Sequence, residues 1–352
     1  MKELFIDKGL LERNYSAVRQ KLSGAQVMAV LKNNAYGLGL LPMARFWREM
    51  GVRRFGVGDP ADAALLRGEG FTHEELLLMR PTAVPAEIDQ LLDHGVIATI
   101  GSQESALALS GIAEKRSTVA EAHLKIDCGL GRYGFLPREL DKMQNIFSYM
   151  QNIAVSGVYT HLPSGISLKK ARLCLDGFDA VLAALRGKSI ETGTVHALGS
   201  TALFHFDGLP QYDMVRIGAA MTGRIPGKTG LTPVGAVLAP ITDVRWIPAG
   251  SAVAGKLRLR RSVRVGFLPV GYANGFLMEK PSYSRLFEIR RGKIGYGKVT
   301  VRLDNGETAQ VIGLVGQNHM VLDLTKSNAS VGNVAQVNVN PLFAASVPRV
   351  LQ

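Results

Sequence analysis

Cysteine is scarce in this chain, with two in 352 residues. Cys128 and Cys174 sit in apolar segments and lack the paired spacing of a zinc site, so a disulfide-framed miniprotein and a structural zinc protein are set aside, and no metal is expected. Such sparing use of thiols fits a reducing compartment, and the expected location is the cytoplasm. Long hydrophobic runs are missing as well. No apolar stretch reaches the roughly 18–20 residues of a membrane span, and Met1-Lys2-Glu3-Leu4-Phe5-Ile6-Asp7 lacks the apolar core of a signal peptide. The 39 glycines and 15 prolines follow no fixed period, which argues against fibrous, repeat and low-complexity architectures. Acidic residues are in short supply, 29 against 41 lysines and arginines, for a net charge of +12.

What the chain does have is enough apolar content, 47%, for a full core in one to three domains. The charge excess is local. Residues 1–244 carry 26 basic and 24 acidic side chains, whereas 245–302 carry 13 and 2. A basic stretch such as Lys256-Leu257-Arg258-Leu259-Arg260-Arg261-Ser262-Val263-Arg264 reads as a β-strand with one basic face. It has no interleaved aromatics for stacking bases. A solvated strand face is the favoured reading, so neither nucleic acid nor a membrane is expected as a partner.

From about residue 9 to 225, short apolar runs alternate with amphipathic segments, as in repeated βα units. The runs are Val27–Leu31, Arg54–Val57, Leu76–Met79, Val96–Ile100, Ala122–Ile126, Val155–Tyr159, Val195–Leu198 and Met214–Ile217. Helical patterns fall between them, among them Asp59–Gly68, Ser102–Lys115 and Leu168–Leu185. Eight strands, each followed by a helix, make an α/β chain of the (β/α)₈ TIM-barrel type. After Gly223 the texture changes to short Val/Ile/Thr runs broken by Gly, Pro and Asn, which predicts an all-β C-terminal domain. The expected division is a barrel over 8–225, with 1–7 and 226–352 forming the β-rich part.

Chemistry concentrates at strand ends. The first barrel strand runs into Leu31-Lys32-Asn33-Asn34-Ala35-Tyr36-Gly37-Leu38-Gly39. A lysine there points into the barrel mouth, where it can condense with an aldehyde cofactor if its pKa is lowered. From position alone, a lysine reaching for water is an equally good reading. Asp127-Cys128-Gly129-Leu130-Gly131 is by itself only a glycine-rich turn, and His161 by itself only a polar residue at a strand end.

Taken together and in order, these segments resemble the bacterial alanine racemases, over essentially the whole chain. The resemblance implies a pyridoxal 5'-phosphate enzyme that interconverts L- and D-amino acids in a homodimer with composite active sites. It implies that Lys32 carries the cofactor and acts as one base, with Tyr36 beside it. In Lys125-Ile126-Asp127-Cys128-Gly129-Leu130-Gly131-Arg132, it gives Arg132 to the cofactor phenolate and the substrate carboxylate. Lys125 matches a lysine that is carbamylated in some members. His161 is implied to lie beside the pyridoxal ring, and Ser200, Gly218 and Ala219 to hold the phosphate. Arg216 is implied to face the pyridine nitrogen, Tyr272 to be the second base, supplied to the partner's site, and Val315 to offer an amide to the substrate.

Two departures stand out. Val315-Gly316-Gln317 occupies a turn where the family has an aspartate, and a family tyrosine that narrows the pocket falls close to Val337. Both losses predict tolerance of amino acids larger than alanine. The alternatives from other classes are a decarboxylase of the same architecture, disfavoured by Arg216 where a carboxylate is needed, and a catalytically degenerate protein that only binds pyridoxal phosphate. The resemblance also points to D-alanine supply for the cell wall.

Overall fold

The computed structural model describes residues 1–254, 257–278 and 299–352. The chain forms two compact units. One contains Glu12–Ala35 and Leu40–Thr232; the other contains Met1–Leu11, Tyr36–Gly39 and Pro233–Gln352.

The first unit is a closed barrel of eight parallel strands. They are β2 (Gln26–Val30), β3 (Arg54–Val57), β4 (Glu75–Pro81), β5 (Ile97–Ile100), β6 (Ala120–Lys125), β7 (Ile153–Tyr159), β8 (Thr194–Gly199) and β9 (Met214–Ile217). Closure comes from β9 pairing back onto β2, with Met28 opposite Arg216. Each expected apolar run lies on one of these strands. Helix starts follow capping chemistry: Asp59 accepts from the Ala61 amide ahead of Pro60, and Ser102 forms a reciprocal cap with Ser105.

The expectation of a helix after every strand needs correction. No α-helix follows β9 among the described residues; instead an α-helix at Lys8–Gln20 precedes β2. Its buried Asn14 donates to the carbonyls of Met221 and Thr232 and accepts from the Thr232 amide, so it packs against the segment that follows β9.

The turn that leaves β2 is unusual. Asn33, Asn34, Ala35 and Tyr36 all have φ between 51° and 57°, four successive residues in the left-handed region. That conformation costs about 1–2 kcal/mol for an ordinary L-residue and least for Asn or Gly. The Asn34 side chain offsets part of this by accepting from the Leu40 amide at 2.7 Å, the start of helix Leu40–Glu49. Asn34→Ala removes both the cap and the tolerant residue. It is expected to cost about 1–2 kcal/mol, read as a lower urea midpoint at unchanged slope.

The second unit is built on a nine-stranded sheet. Its strands are β1 (Glu3–Ile6), β10 (Ala236–Pro240), β11 (Asp243–Ile247), β14 (Val263–Leu268), β15 (Thr300–Leu303), β16 (Thr308–Ile312), β17 (Met320–Asp323), β18 (Val334–Asn338) and β19 (Arg349–Leu351). Their order is β11-β14-β17-β16-β15-β18-β10-β1-β19. A two-stranded ribbon, β12 (Ala252–Val253) and β13 (Leu257–Arg258), stands apart from it. The basic stretch is therefore not one continuous strand. It breaks between Arg258 and Val263, Arg264 donates to the Ser327 and Ala329 carbonyls, and Lys256 lies outside the described residues.

Val337 also requires correction. It is a core residue of β18, 1% exposed and paired with Val237, so its side chain belongs to the packing of the sheet.

Candidate active site

Arg216 organises the barrel interior. It sits on β9, is 2% exposed, and its guanidinium has no carboxylate partner among the described residues. Its donors are placed on neutral acceptors. Nη2 donates to the carbonyls of Thr160 (2.6 Å) and Ala197 (2.8 Å) and to His161 Nδ1 (3.2 Å); Nη1 donates to His196 Nδ1 (2.7 Å). Burial pushes its pKa down to about 10, which still leaves the group charged near neutrality. Nε is buried and has no hydrogen-bond partner among the described residues. A buried charged donor without an acceptor is costly, so this atom marks where a ligand acceptor belongs.

The histidines around it are held neutral. Burial, then Arg216, pushes His161 down to about 3 and His123 to about 4, and places His196 well below its ordinary value. Because Arg216 can only donate, His196 Nδ1 must accept, and its neutral ring then carries the proton on Nε2. That proton points at His123 Nδ1, 3.0 Å away. The Tyr159 ring stacks on His196 at 4.7 Å and 10°. The Tyr159 hydroxyl donates to Thr99 Oγ1 at 3.0 Å, whose own proton goes to the Leu78 carbonyl.

A pH dependence of stability follows. Below about pH 6.5, unfolded imidazoles bind protons that the folded ones refuse, so stability falls as pH falls. For the fully buried His123 and His196 the slope is about 1.4 kcal/mol per pH unit each, until the folded pKa is reached. Urea titrations at pH 7, 6 and 5 should show this loss, and His123→Asn should flatten it.

Lys125 ends β6 and is 4% exposed. Burial foremost, then Arg216, Arg132 and Lys32, outweighs the attraction of Asp127 and pushes its pKa down to about 8. Its ammonium lies 5.4 Å from the Tyr133 ring and 5.6 Å from the Tyr159 ring. The loop after β6 is tied by Asp127. One carboxylate oxygen accepts from the amides of Gly129, Leu130 and Gly131 at 2.7–3.1 Å, and the other from the Arg132 amide at 3.0 Å. These four bonds set where the exposed Arg132 leaves the backbone.

Lys32 follows Leu31 at the end of β2, and a Cβ on Gly58 would stand 3.1 Å from the Lys32 Cβ. A Cβ on Gly199 would stand 3.1 Å from His161 Cε1. Glycine at these two strand ends keeps the mouth open beside both residues. Ser200 Oγ accepts from the Gly218 amide at 3.1 Å, bringing together the ends of β8 and β9. Lys32, Lys125, Arg132, His161 and Arg216 thus share one electrostatic neighbourhood, with Ser200, Gly218 and Ala219 at the adjoining strand ends. Among the described residues no cluster of three His, Cys, Asp or Glu could hold a metal, and no helix is long and apolar enough to cross a membrane. Both thiols are pushed up by burial, Cys128 to about 11, which makes them poor nucleophiles.

Tyr36, the last residue of the left-handed turn, belongs to the second unit, where burial pushes its phenol up. Tyr272, in the same unit, opens a short turn, Tyr272–Asn274. The Tyr272 amide donates to the Gly316 carbonyl (3.2 Å) and the Ala273 amide to that of Gln317 (3.0 Å). A Cβ on Gly271 would collide with those same carbonyls. Asn274, 1% exposed, accepts from the Gly271 amide and from Lys2. The Val315-Gly316-Gln317 turn therefore anchors the tyrosine. A side chain at 316 would meet the His319 ring, with Nε2 at 2.8 Å, which accounts physically for glycine there.

His123 and His196 are polar residues that sequence reasoning passed over as parts of apolar runs; the available signal was a histidine inside a strand, at an inward position. With the geometry in place, comparison with known proteins is direct. The family model "Alanine racemase, N-terminal domain" matches residues 6–226. The alanine racemase of Halothermothrix orenii is 30% identical over 333 residues, covering 91% of this chain and 82% of that protein. That of Carboxydothermus hydrogenoformans is 31% identical over 278 residues, covering 76% and 74%. Among solved structures, alanine racemase from D-cycloserine-producing Streptomyces lavendulae superposes with a TM-score of 0.85 at 24% identity, over 100% of this chain and 97% of that one. A histidine racemase from Leuconostoc mesenteroides subsp. sake has the same fold, with a TM-score of 0.84 at 17% identity, over 100% and 98%.

Proposed function

The chain belongs to the alanine racemase family and is an amino-acid racemase; we propose that its cofactor is pyridoxal 5'-phosphate and its principal substrate alanine. The observation that carries the cofactor assignment is the buried, unpartnered Nε of Arg216, a donor that a pyridine nitrogen satisfies. The Gly58 and Gly199 backbones leave room at the mouth for a flat ring.

Lys32 would hold the cofactor's aldehyde, Ser200, Gly218 and Ala219 its phosphate, Arg132 its phenolate, and His161 and Tyr36 would lie beside it. When bound, the cofactor supplies a conjugated ring that takes up electron density from the substrate's α-carbon. Arg216 retains its own proton and donates only a hydrogen bond, which keeps that withdrawal modest and favours proton exchange. Arg132 and the Val315 amide would hold the substrate carboxylate. Lys32 Nζ and Tyr272 Oη then take or give a proton at the α-carbon from opposite faces, each transfer worth about 10²–10⁴-fold. Tyr272 is assigned to the partner copy's site in a homodimer.

Lys125 is the proposed carbamate. A buried amine with a pKa near 8 has a far larger neutral fraction at physiological pH than an ordinary lysine, although most of it is still protonated, and the neutral amine adds to CO₂ to give a carbamate and a proton. The resulting anion would pair with Arg132. In ¹³C-bicarbonate, a carbamate carbon resonance is expected to grow from pH 6 to 8 and to be absent in Lys125→Ala.

A panel of single-enantiomer amino acids, followed by chiral chromatography on the pyridoxal-loaded protein, tests the whole reading. Inversion of alanine supports it. Retained cofactor absorbance with no inversion of any amino acid would leave a protein that only binds the cofactor. The same panel tests the expected tolerance of larger amino acids; inversion confined to alanine would refute it.

A further inference from the structure

The barrel core holds a hydrogen-bonded series that the reaction does not use directly. Arg216 Nη1–H donates to His196 Nδ1 (2.7 Å), and His196 Nε2–H to His123 Nδ1 (3.0 Å). All three side chains are buried, at 2%, 0% and 3% exposure, and they come from three strands, β9, β8 and β6. Each link has one allowed direction, because a guanidinium has no lone pair to offer and each neutral imidazole has one donor and one acceptor. The last ring is held by shape. His123 lies flat on Gly157 of β7, where a Cβ would stand 2.6–2.8 Å from three of its ring atoms. The His196 ring stacks on the Tyr159 ring and meets the His123 ring edge-on.

We propose that His123 is a positioning residue for Arg216: by accepting the His196 Nε2 proton it fixes the His196 ring, and with it the guanidinium, so that Nε–H is the donor presented to the pyridine nitrogen. This rests on the assignment of Arg216 to that nitrogen made above. Without an acceptor at 123, His196 carries a buried, unsatisfied N–H and must rotate or change tautomer to satisfy it. Either response withdraws the acceptor from Arg216 Nη1. The guanidinium then re-seats on its remaining partners, Thr160, Ala197 and His161, and Nε turns. Gly157 belongs to the same device, since any side chain there would displace the His123 ring.

The test uses the full-length, cofactor-loaded enzyme labelled with ¹⁵N at histidine and arginine. The seven histidines are assigned by single substitutions and the Arg216 Nε–H signal by its loss in Arg216→Lys. In the wild type, His196 and His123 should each show a bare Nδ1 and a protonated Nε2, and Arg216 Nε–H should exchange slowly. His123→Leu should move the His196 signals and speed Arg216 Nε–H exchange at least tenfold, with kcat down about 10- to 100-fold and KM within about threefold. His123→Asn, whose side-chain oxygen replaces the acceptor, should restore most of both. A protonated His123 Nδ1 in the wild type overturns the proposal even if no variant folds. So does a His123→Leu protein with an unmoved Arg216 Nε–H signal and wild-type kcat. A wild type with the expected signals and no racemase activity would instead remove the functional reading, because the resonances report the series without turnover.

Discussion

Lys32→Ala is expected to abolish racemisation, with turnover at least about 10⁴-fold below wild type, and to leave the protein without the visible absorbance of the bound cofactor. Two contributions act together: the amine that would anchor the aldehyde is lost, and so is the proton carrier on one face of the α-carbon. The fold should be little affected, because Lys32 lies past the last residue of β2 and is exposed. Equal far-ultraviolet dichroism and an unchanged urea midpoint would therefore accompany the loss. Added methylamine should restore a small fraction of activity. Full absorbance and turnover in Lys32→Ala would refute the assignment and force attention to Lys125, the other lysine in the same electrostatic neighbourhood.

Tyr272→Phe separates the two proposed bases. It keeps the ring and the backbone bonds from 272 and 273 to Gly316 and Gln317 while removing the hydroxyl. Cofactor absorbance should remain, and racemisation should fall by about 10²–10⁴-fold, the worth of one positioned proton transfer. Exchange of the α-proton with solvent deuterium should survive for one enantiomer, since the Lys32 face still works alone, and be lost for the other. A Phe variant that racemises at the wild-type rate, or loses exchange for both enantiomers equally, would show that the phenol is not the second base.

The barrel was readable because each strand is a local apolar run. Arg54–Val57 and Met214–Ile217 coincide with β3 and β9 residue for residue. What local pattern cannot convey is partnership across the chain. Glu3–Phe5 pairs with Ala236–Leu238, and Leu4–Ile6 with Arg349–Leu351, so the expected grouping of 1–7 with the β-rich part carried no indication of which strands they pair with. The adjacent strands β10 and β11, three residues apart in the chain, belong to distant positions of one sheet, with β18 and β1 beside the first and β14 beside the second. The helix Lys8–Gln20 escaped notice because nothing in it is distinctive until Asn14 meets Met221 and Thr232.

At the proposed site, the candidate residues stand out in the sequence because strand ends and glycines frame them. Their supports do not. In sequence Asp127 is only part of a glycine-rich turn, yet it ties four amides and thereby places Arg132. His196 falls inside the apolar run Val195–Leu198 without a role of its own, because a neutral imidazole in a barrel core differs from an apolar residue only through its partners. Gly316 read as a lost carboxylate; in three dimensions it is the space taken by His319.

The four left-handed residues that follow Lys32 give this molecule a short stretch of opposite backbone hand. At positions of ordinary backbone hand a mutation is judged first by size and polarity. Here it is judged first by chirality, because a β-branched or bulky L-residue pays for its own Cβ before it touches any neighbour. Adjacent asparagines at 33 and 34 are the inexpensive solution for L-residues, and Ala35 and Tyr36 are held there by their surroundings. Sequence drift beside the lysine is thus confined to a small alphabet by handedness, whichever amino acid the enzyme inverts.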